Sequence, residues 1–419
     1  MKISCIILIT ALGCVSLAQQ NQPRCSNIHT RKEVRSMSQN EWNLYTDVIK
    51  QMNDDGWTAW FSYVHTKVFY VVHGNSMFFP FHRKYLQHYE SIGRRNYNNN
   101  FYIPYWDVGR DYAAPHKSAV LTDRYLGGNG RSSDGCVNNG FVSKLQLTYP
   151  YRHCLVREFD RSKNTIQTWY SPEYVAYRLQ TSTKMSKFRS SIEDSIHGDV
   201  HSSLGGDMSQ EYSPNDPVFM LHHANIDRLW AKWQGMRNNL WKMDGRGPNG
   251  IRNLDLDDEI TNYNIPIRTV MELGYGDMCY QYSDSSSSKA RENSQARTAS
   301  FQASLAQTNQ DDNSTNSFGQ DLNSEDVVIS KLIYNDSTNP EIASLFGIST
   351  DTKIAKRSLA RRSQKCNVKN KCTITVPNPF SDRWINMHKY DKTEVEQNYK
   401  EAKEFYEKLN KYKYVPAYC

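Results

Sequence analysis

This 419-residue sequence lacks the features of several protein classes. Beyond its first residues it has no apolar run long enough to cross a bilayer, so we expect no membrane span. It has no basic run interleaved with aromatic residues, which argues against nucleic acid as a partner. It also has no repeat of solenoid length. Hydrophobic residues make up 38% of the chain, a low share indicating that part of it lies outside a packed core.

The N-terminus has the pattern of a secretion signal. Lys2 provides a positive charge, residues 3–17 are almost uniformly apolar, and Ser16 and Ala18 are small residues of the kind found before a cleavage site. We predict a signal peptide at 1–18 and a mature protein that is secreted, either extracellular or vesicular. The net charge of +7 comes from scattered Lys and Arg residues, so we interpret it as ordinary solubility.

Cysteine usage fits an oxidising compartment. Of the nine cysteines, Cys5 and Cys14 would leave with the signal. Sequence proximity suggests two local disulfides, and a third could join the start of the main domain to its end. The predicted pairs are Cys136–Cys154, Cys366–Cys372 and Cys25–Cys279, with Cys419 left over.

Composition divides the mature chain into three parts. Residues 19–285 are rich in aromatic residues and helical patterns and form the predicted catalytic domain. Residues 286–325 are rich in Ser, Asn and Gln, which is typical of a disordered linker. Residues 326–419 form a C-terminal extension, with a predicted strand at Val327–Tyr334 and a charged helix at about Lys392–Lys411. Two glycosylation acceptors, Asn313 and Asn335, lie in or near the linker.

Three segments of the main domain have helical periodicity. The first runs from about Glu41 to Val72, and the second starts at Pro80, a residue that suits a first helical turn. The third follows Asp216 and Pro217, which resemble an N-cap and a first-turn residue, and continues through Trp233.

The histidines cluster near these segments. His197 and His201 are four residues apart, which places both imidazoles on one helix face. His65 and His73 are eight apart and would share nearly one face of a continuous helix. His82 would lie in the first turn of the next helix, so two helices meeting at an angle could bring three imidazoles together.

Two groups of three histidines indicate a metal that prefers imidazole, with copper high among the candidates. Zinc is an alternative, but Gly198 stands where a zinc protease would have its general base, and bridging carboxylates for a dizinc hydrolase are absent. His222 and His223 point about 100° apart on a helix, so one of them faces the metal. The remaining histidines, interpreted as ordinary structural residues, are His29, His88, His116, His153 and His388.

Longer motifs surround these histidines. One reads Phe-Pro-Phe-His-Arg-Lys-Tyr-Leu over 79–86, and another is the Pro-Tyr-Trp-Asp run at 104–107. The longest is Asn-Asp-Pro-Val-Phe-Met-Leu-His-His-Ala-Asn-Ile-Asp-Arg-Leu-Trp over 215–230, and Tyr-Gln-Tyr follows at 280–282. Over roughly 25–285 the sequence resembles tyrosinases, the type-3 copper proteins.

The resemblance implies a mainly α fold in which a four-helix bundle holds a dinuclear copper site. The implied ligands are His65, His73 and His82 for one ion and His197, His201 and His223 for the other. His222 is left as a supporting residue, Phe219 would form a wall of the substrate site, and Asn225 and Asp227 are candidates for orienting imidazoles. The implied activity is oxidation of phenols or catechols by O2 to o-quinones, which lead to melanin or protein cross-links. Small phenols, and protein tyrosines as a further class, are the expected partners.

The sequence departs from the family beside the second triad. Tyrosinases hold a water for monophenol deprotonation with a Glu and an Asn; Glu193 could be that Glu, but Gly198 occupies the Asn position. Catechol oxidation is therefore better supported than monophenol hydroxylation. Many eukaryotic members have a thioether-forming cysteine where this chain has Val71, so we predict no thioether.

The C-terminal extension and the site itself leave alternatives open. Family members often have an extension that plugs the site until proteolysis, and the linker and dibasic sites, Lys356-Arg357 and Arg361-Arg362, are compatible with this; a tethering or secretion tail is the alternative. A haemocyanin-like reversible O2 carrier is the alternative to an oxidase, and a matrix protein with a degenerate site is a third possibility. The sequence does not indicate an oligomeric state.

Overall fold

A computed structural model describes residues 22–160, 164–250, 252–283, 323–334, 340–346, 374–416 and 418. Helices are its main regular structure, which confirms the predicted mainly α class. None of the described helices is both long and apolar enough to span a bilayer. In chain order they are α1 Gln39–Asp54, α2 Trp57–Val72, α3 Phe78–Asn96, α4 Pro172–Thr181, α5 Met185–Ile192, α6 Gly198–Leu204, α7 Val218–Gln234, α8 Ser324–Tyr334, α9 Pro340–Leu345, α10 Asp382–His388 and α11 Lys392–Lys411.

The first predicted helix is in fact two. Ser38 and Glu41 form a capping box that begins α1, and the helix ends before Gly56. Gly56 has φ of 86°, a left-handed conformation that glycine adopts at little cost, and α2 starts at the next residue. The prediction of one continuous helix over Glu41–Val72 is therefore wrong, because periodicity continues across the break while the backbone turns at this glycine.

The helices that carry the histidines form the centre of the domain. α2 packs on α1 and α3, and α3 packs on α7. Their buried faces join one core that includes the fully buried Trp106, Trp169, Trp230 and Trp233. Large aromatic rings bury much area each, so a tyrosine- and tryptophan-rich chain can build this core despite its low overall hydrophobic share.

A short parallel ribbon closes the main domain. β1 (His29–Arg31) pairs with β2 (Tyr280–Tyr282) in parallel, His29 opposite Tyr280. The hydroxyls of Tyr280 and Tyr282 both donate to Asp227 on α7 at 2.6 Å. The ribbon therefore connects both ends of the domain to α7.

Two of the predicted disulfides are confirmed. Cys25 is bonded to Cys279 beside the ribbon, and Cys136 is bonded to Cys154. The other predicted pair, Cys366–Cys372, and Cys419 lie outside the described residues, as do the signal peptide, both glycosylation acceptors, both dibasic sites and most of the linker.

The regular structure of the described parts of the C-terminal region, 323–334, 340–346 and 374–416, is helical. The strand predicted at Val327–Tyr334 is wrong, because this segment is part of α8. Its branched residues resemble a strand, but Val328 and Leu332 are four apart and both enter the main core, as a helix face requires. The helix predicted near Lys392–Lys411 is confirmed as α11.

The last three residues that we assigned to the linker are folded in the structure. These residues, 323–325, are buried against the main domain. Glu325 forms ion pairs with Arg228 and Lys232, and the Ser324 hydroxyl donates to Asp107 at 2.7 Å. A polar composition predicted disorder here, but these polar side chains find buried partners in the folded protein.

Candidate metal centre

The six predicted histidines meet at the centre of the bundle as two groups. One group is His65, His73 and His82, and the other is His197, His201 and His223; within each, the potential ligand atoms lie within 4.8 Å of one another. All six side chains are at most 4% exposed. The groups adjoin, since the rings of His82 and His223 stack with centroids 4.3 Å apart. The structure thus brings together the residues that local spacing could only assign to separate helices.

The first triad comes from α2, α3 and the turn between them. His65 lies within α2, but His73 follows the helix end and has an extended backbone, so the two do not share one helix face as predicted. Gly74, with φ of 68°, then turns the chain toward α3. His82 lies one turn inside α3, which begins at Phe78 rather than at Pro80.

The second triad depends on a distorted helix. His197 ends a π-helical segment, Glu193–His197, that joins α5 to α6, and Ser195 in it has non-helical angles. His201 follows within α6, and His223 comes from α7. Such distortions in helices are frequent at functional sites, since they change the direction of side chains.

Backbone carbonyls orient most of these rings. The Nδ1–H of His73 donates to the carbonyl of Phe69 at 2.9 Å, and that of His82 to Phe78 at 2.8 Å. His65, His197 and His201 make the same kind of bond, to the carbonyls of Glu211, Glu193 and Met208. Because these bonds use Nδ1, they leave the Nε2 lone pairs free to face the centre.

Three of the six Nε2 atoms, those of His65, His82 and His197, are buried without a hydrogen bond among the described residues. Those of His201 and His223 face each other at 3.1 Å. Buried polar atoms without partners are rare in folded proteins. Two metal ions would satisfy these lone pairs, so the residues fit a dicopper centre, in which imidazole is a preferred ligand.

Burial also keeps these imidazoles in the metal-binding form. It lowers the pKa of His65 to about 3 and that of His201 to about 4. The pKa values of the other four are lowered for the same main reason. At neutral pH all six rings are neutral and their Nε2 atoms can bind a cation.

Three polar residues of α7 near the centre belong to neither triad. His222 lies outside both triads, and its Nε2–H donates to the carbonyl of His197 at 3.2 Å. Within the described part of the chain, the hydrogen bonds of Asn225 and Asp227 go to groups other than the imidazoles that we expected them to orient. Asn225 accepts a hydrogen bond from Arg228, while Asp227 binds the ribbon tyrosines and Arg83. Backbone carbonyls have taken the role that the sequence suggested for these side chains.

Phe219 lies where a wall residue would be. It is fully buried, its ring stacks on His223 with centroids 4.1 Å apart, and it meets His65 edge-on at 5.1 Å. It therefore contacts one histidine from each triad.

Glu193 is buried beside the first triad. Its carboxylate accepts hydrogen bonds from the backbone N–H of Gly74 at 2.7 Å and from Arg189 at 2.9 Å. Burial raises the pKa of Glu193 to about 7, although Arg189 opposes the shift. A carboxyl with this pKa could exchange a proton near neutral pH.

A segment of the C-terminal region covers the centre. We call residues 374–391, which include α10, the cap. Phe380 lies against Gly198, so closely that a Cβ built on this glycine would be 2.5 Å from Phe380 Cζ. Trp384 reaches His201, with ring centroids 6.5 Å apart, and Tyr390 lies against Gly74. An Asn side chain at position 198 could not coexist with Phe380 in this place.

We did not assign any cap residue to the metal centre from the sequence. We interpreted His388 as an ordinary structural histidine, yet its ring is 5.7 Å from that of His73. One local signal was present: Trp384 and His388 are four residues apart and follow Ser381, whose hydroxyl caps α10. That pattern predicts an amphipathic helix but gives no sign of what it covers.

Comparison with known proteins agrees with this geometry. The family model for the common central domain of tyrosinase matches residues 26–236. A tyrosinase of Aspergillus flavus is 27% identical over 292 residues, which cover 62% of this chain and 81% of that protein. A tyrosinase of Streptomyces glaucescens is 30% identical over 207 residues, or 46% of this chain and 74% of the relative.

Among solved structures, a polyphenol oxidase mutant from Thermothelomyces thermophila has a similar fold. The TM-score is 0.51 at 24% identity, over 62% of this chain and 90% of that one. The family match covers half of the chain and includes all six histidines of the two triads. The chain belongs to the tyrosinase family and is an oxidoreductase of the tyrosinase or catechol oxidase type.

Proposed function

We propose that this protein uses two copper ions and O2 to oxidise catechols to o-quinones, with two catechols and one O2 giving two quinones and two waters. The observation that carries the proposal is the pair of buried histidine triads, in which the Nε2 atoms of His65, His82 and His197 have no hydrogen bond among the described residues. The copper ions would supply the binding and reduction of O2. Small phenols and catechols are the proposed substrates, with accessible protein tyrosines as a second class.

The residues of the chain determine what the centre attracts. Among the described residues, the two metal-binding groups contain histidine alone, and histidine is neutral here. A dicopper centre without carboxylate ligands would retain positive charge and would attract an electron-rich phenolate or catecholate. Phe219 would support the substrate ring and exclude water from one side, since it is fully buried against His223.

Monophenol hydroxylation is the less favoured activity. It requires a base for the phenol proton, and Glu193 is the candidate. Both of its carboxylate oxygens already accept hydrogen bonds, from Gly74 and Arg189, and Gly198 offers no side chain to hold a water. We therefore propose that catechols turn over faster than monophenols.

Oxygen uptake by the copper-loaded protein, after limited trypsin treatment within the cap, tests this activity. The protein is given 4-methylcatechol or tyrosine, without any catechol primer in the tyrosine assay. We expect uptake with the catechol and a long lag or little uptake with tyrosine. Rapid tyrosine turnover would contradict the catechol preference, and reversible O2 binding with no catechol turnover would favour an oxygen carrier instead.

We also propose that the full chain is latent. Support comes from Phe380, Trp384 and His388, which occupy the space in front of the triads. Arg383 and Lys389 are exposed within the cap and offer trypsin sites. Limited trypsin treatment should raise catechol turnover while the triads stay intact. Unchanged turnover after verified cleavage at either site would refute latency.

Secretion remains a proposal as well. The apolar N-terminus suggests it, and two disulfides support an oxidising compartment. Expression of the full sequence in a secreting eukaryotic host, followed by N-terminal sequencing, tests it. We expect protein in the medium that begins at Gln19, and retention inside the cell would count against the proposal.

A further inference from the structure

His388 is a cap residue that lies beside the first triad. Its ring is nearly perpendicular to that of His73, with centroids 5.7 Å apart, and it contacts Phe69 at 4.9 Å. The residue is 3% exposed. The cap therefore places a further buried imidazole beside the six that fit metal ions.

The hydrogen bonding of His388 matches that of the triad members. Its Nδ1–H donates to the carbonyl of Trp384, four residues earlier, at 3.0 Å. His73 and His82 make the same bond to the residues four positions before them. In all three, this bond fixes the tautomer in which Nε2 keeps its lone pair.

The ring is also in the state that a metal requires. Burial lowers the pKa of His388 to about 3, and His201 and His65, one from each triad, lower it further. This neutral ring interacts electrostatically with a histidine of each triad. An apolar side chain could fill this position without the cost of removing an imidazole from water, which suggests that packing is not its whole role.

We propose that His388 Nε2 is a displaceable donor to the copper centre, on the side held by His65, His73 and His82, so that bound metal helps keep the cap closed. This inference rests on the proposed copper chemistry. It goes beyond a cap that only fills space, because a donor couples cap closure to metal binding. Bound metal then favours the closed cap, and the closed cap favours metal retention to the same degree.

Hydrogen–deuterium exchange of the full chain tests the coupling. Peptides covering residues 380–391 are followed by mass spectrometry in metal-free protein and in protein loaded with Cu(II), with copper content measured on the same samples. In the wild type, we expect copper to slow exchange of the cap by about 5- to 150-fold, the range typical of coupling between two sites.

Two variants separate coordination from packing. His388→Phe keeps an aromatic ring against Phe69 and removes the donor, so its cap should exchange equally with and without copper. Phe380→Leu is the matched control: it weakens packing on Gly198, so exchange should be faster in both states while the copper effect remains. If His388→Phe does not fold, His388→Leu serves in its place.

The outcomes are distinct. If copper slows cap exchange equally in the wild type and in the His388 variant, the inference is overturned. It is also overturned if the wild type binds two coppers and its cap exchanges at the same rate as without metal. Wild-type protein that binds no copper would overturn the proposed function, and this inference with it. A copper effect that is lost with His388 and kept in Phe380→Leu supports the proposal.

Discussion

At the scale of single residues, five of the six triad histidines depend on a backbone carbonyl that fixes the ring. The bonds from Nδ1 to backbone carbonyls leave little freedom for the Nε2 atoms, so metal affinity depends on atoms that no side-chain motif contains. This accounts for the failure of our expectation for Asn225 and Asp227. A sequence pattern identifies side chains, whereas the orienting groups here belong to the main chain.

Loss of one ligand should be visible in metal content. His82→Asn removes a donor from the first triad, and we expect it to retain about one copper per chain. His88→Asn, also on α3, is the control, because His88 packs against Trp60 outside the centre and should leave two coppers bound. Elemental analysis after dialysis measures both. Two coppers in His82→Asn would exclude His82 as a required ligand.

Glu90 gives the protein a pH-dependent part of its stability. Burial by itself would raise the pKa of Glu90, but Arg31 and His29 outweigh it and lower the pKa to about 2, from 4.5. A carboxyl with a lowered folded-state pKa stabilises the protein above its unfolded value. That contribution, up to about 3 kcal/mol, is lost as the pH falls from about 4.5 toward 2.

Urea unfolding at pH 7 and pH 3 tests this contribution. Glu90→Gln should be less stable than the wild type at pH 7, and the difference should shrink at pH 3. Glu41→Gln is the control: its pKa is also lowered to about 2, but the group is partly exposed, so we expect a change within about 1 kcal/mol. An equal Glu90→Gln effect at both pH values would be inconsistent with the assignment.

At the scale of elements, α11, the helix that follows the cap, is held against α4 and α5. Ion pairs join Arg189 to Glu394 and Lys187 to Glu401 across the α5–α11 interface. Aromatic contacts lie beside them, with the ring of Phe405 stacked on Tyr177 at 4.5 Å. Partly exposed ion pairs contribute little, while a buried aromatic ring contributes several kcal/mol, so we expect the apolar contacts to dominate.

Two substitutions in α11 compare these contributions. Phe405→Ala should lower the opening free energy of α11 by about 3–5 kcal/mol, since it leaves a cavity. Glu401→Gln should change it by less than about 1 kcal/mol. Native-state hydrogen exchange of α11 amides measures both. A larger effect from Glu401→Gln would mean that charge, rather than packing, holds the helix.

At the scale of the whole molecule, two links close the main domain. The parallel ribbon and the Cys25–Cys279 bond connect its start and end, 254 residues apart in sequence. The Cys136–Cys154 bond spans 18 residues. A cross-link that closes a longer loop removes more entropy from the unfolded chain.

Removal of each bond should therefore have unequal effects. In the chain-entropy model, the Cys25→Ser/Cys279→Ser protein loses about 5 kcal/mol, and the Cys136→Ser/Cys154→Ser protein loses about 3 kcal/mol. Urea unfolding of the two variants beside the wild type provides the comparison. Equal losses would indicate that the ribbon already restrains the ends of the domain in the unfolded chain.

The sequence by itself determined the family, the mainly α class, the six histidines and the Cys136–Cys154 bond, because each is encoded by local spacing or by a long motif. Helical periodicity identifies which face of a segment is buried, and a Ser or Gly indicates where it begins or ends. Two elements were predicted wrongly. Gly56 interrupts a segment whose periodicity predicted one continuous helix. The segment predicted as a strand is part of α8, because its conformation depends on burial against the main domain.

The tertiary structure alone decided what covers the site. His388 and Trp384 are ordinary members of a short helix until the chain folds back and places them over His73 and His201. Contacts between such distant parts of a chain depend on shape and buried area, which no local pattern records. Gly198 is the clearest example. From the sequence it was only the position that lacks the family's Asn, whereas in the folded protein its missing side chain leaves room for Phe380.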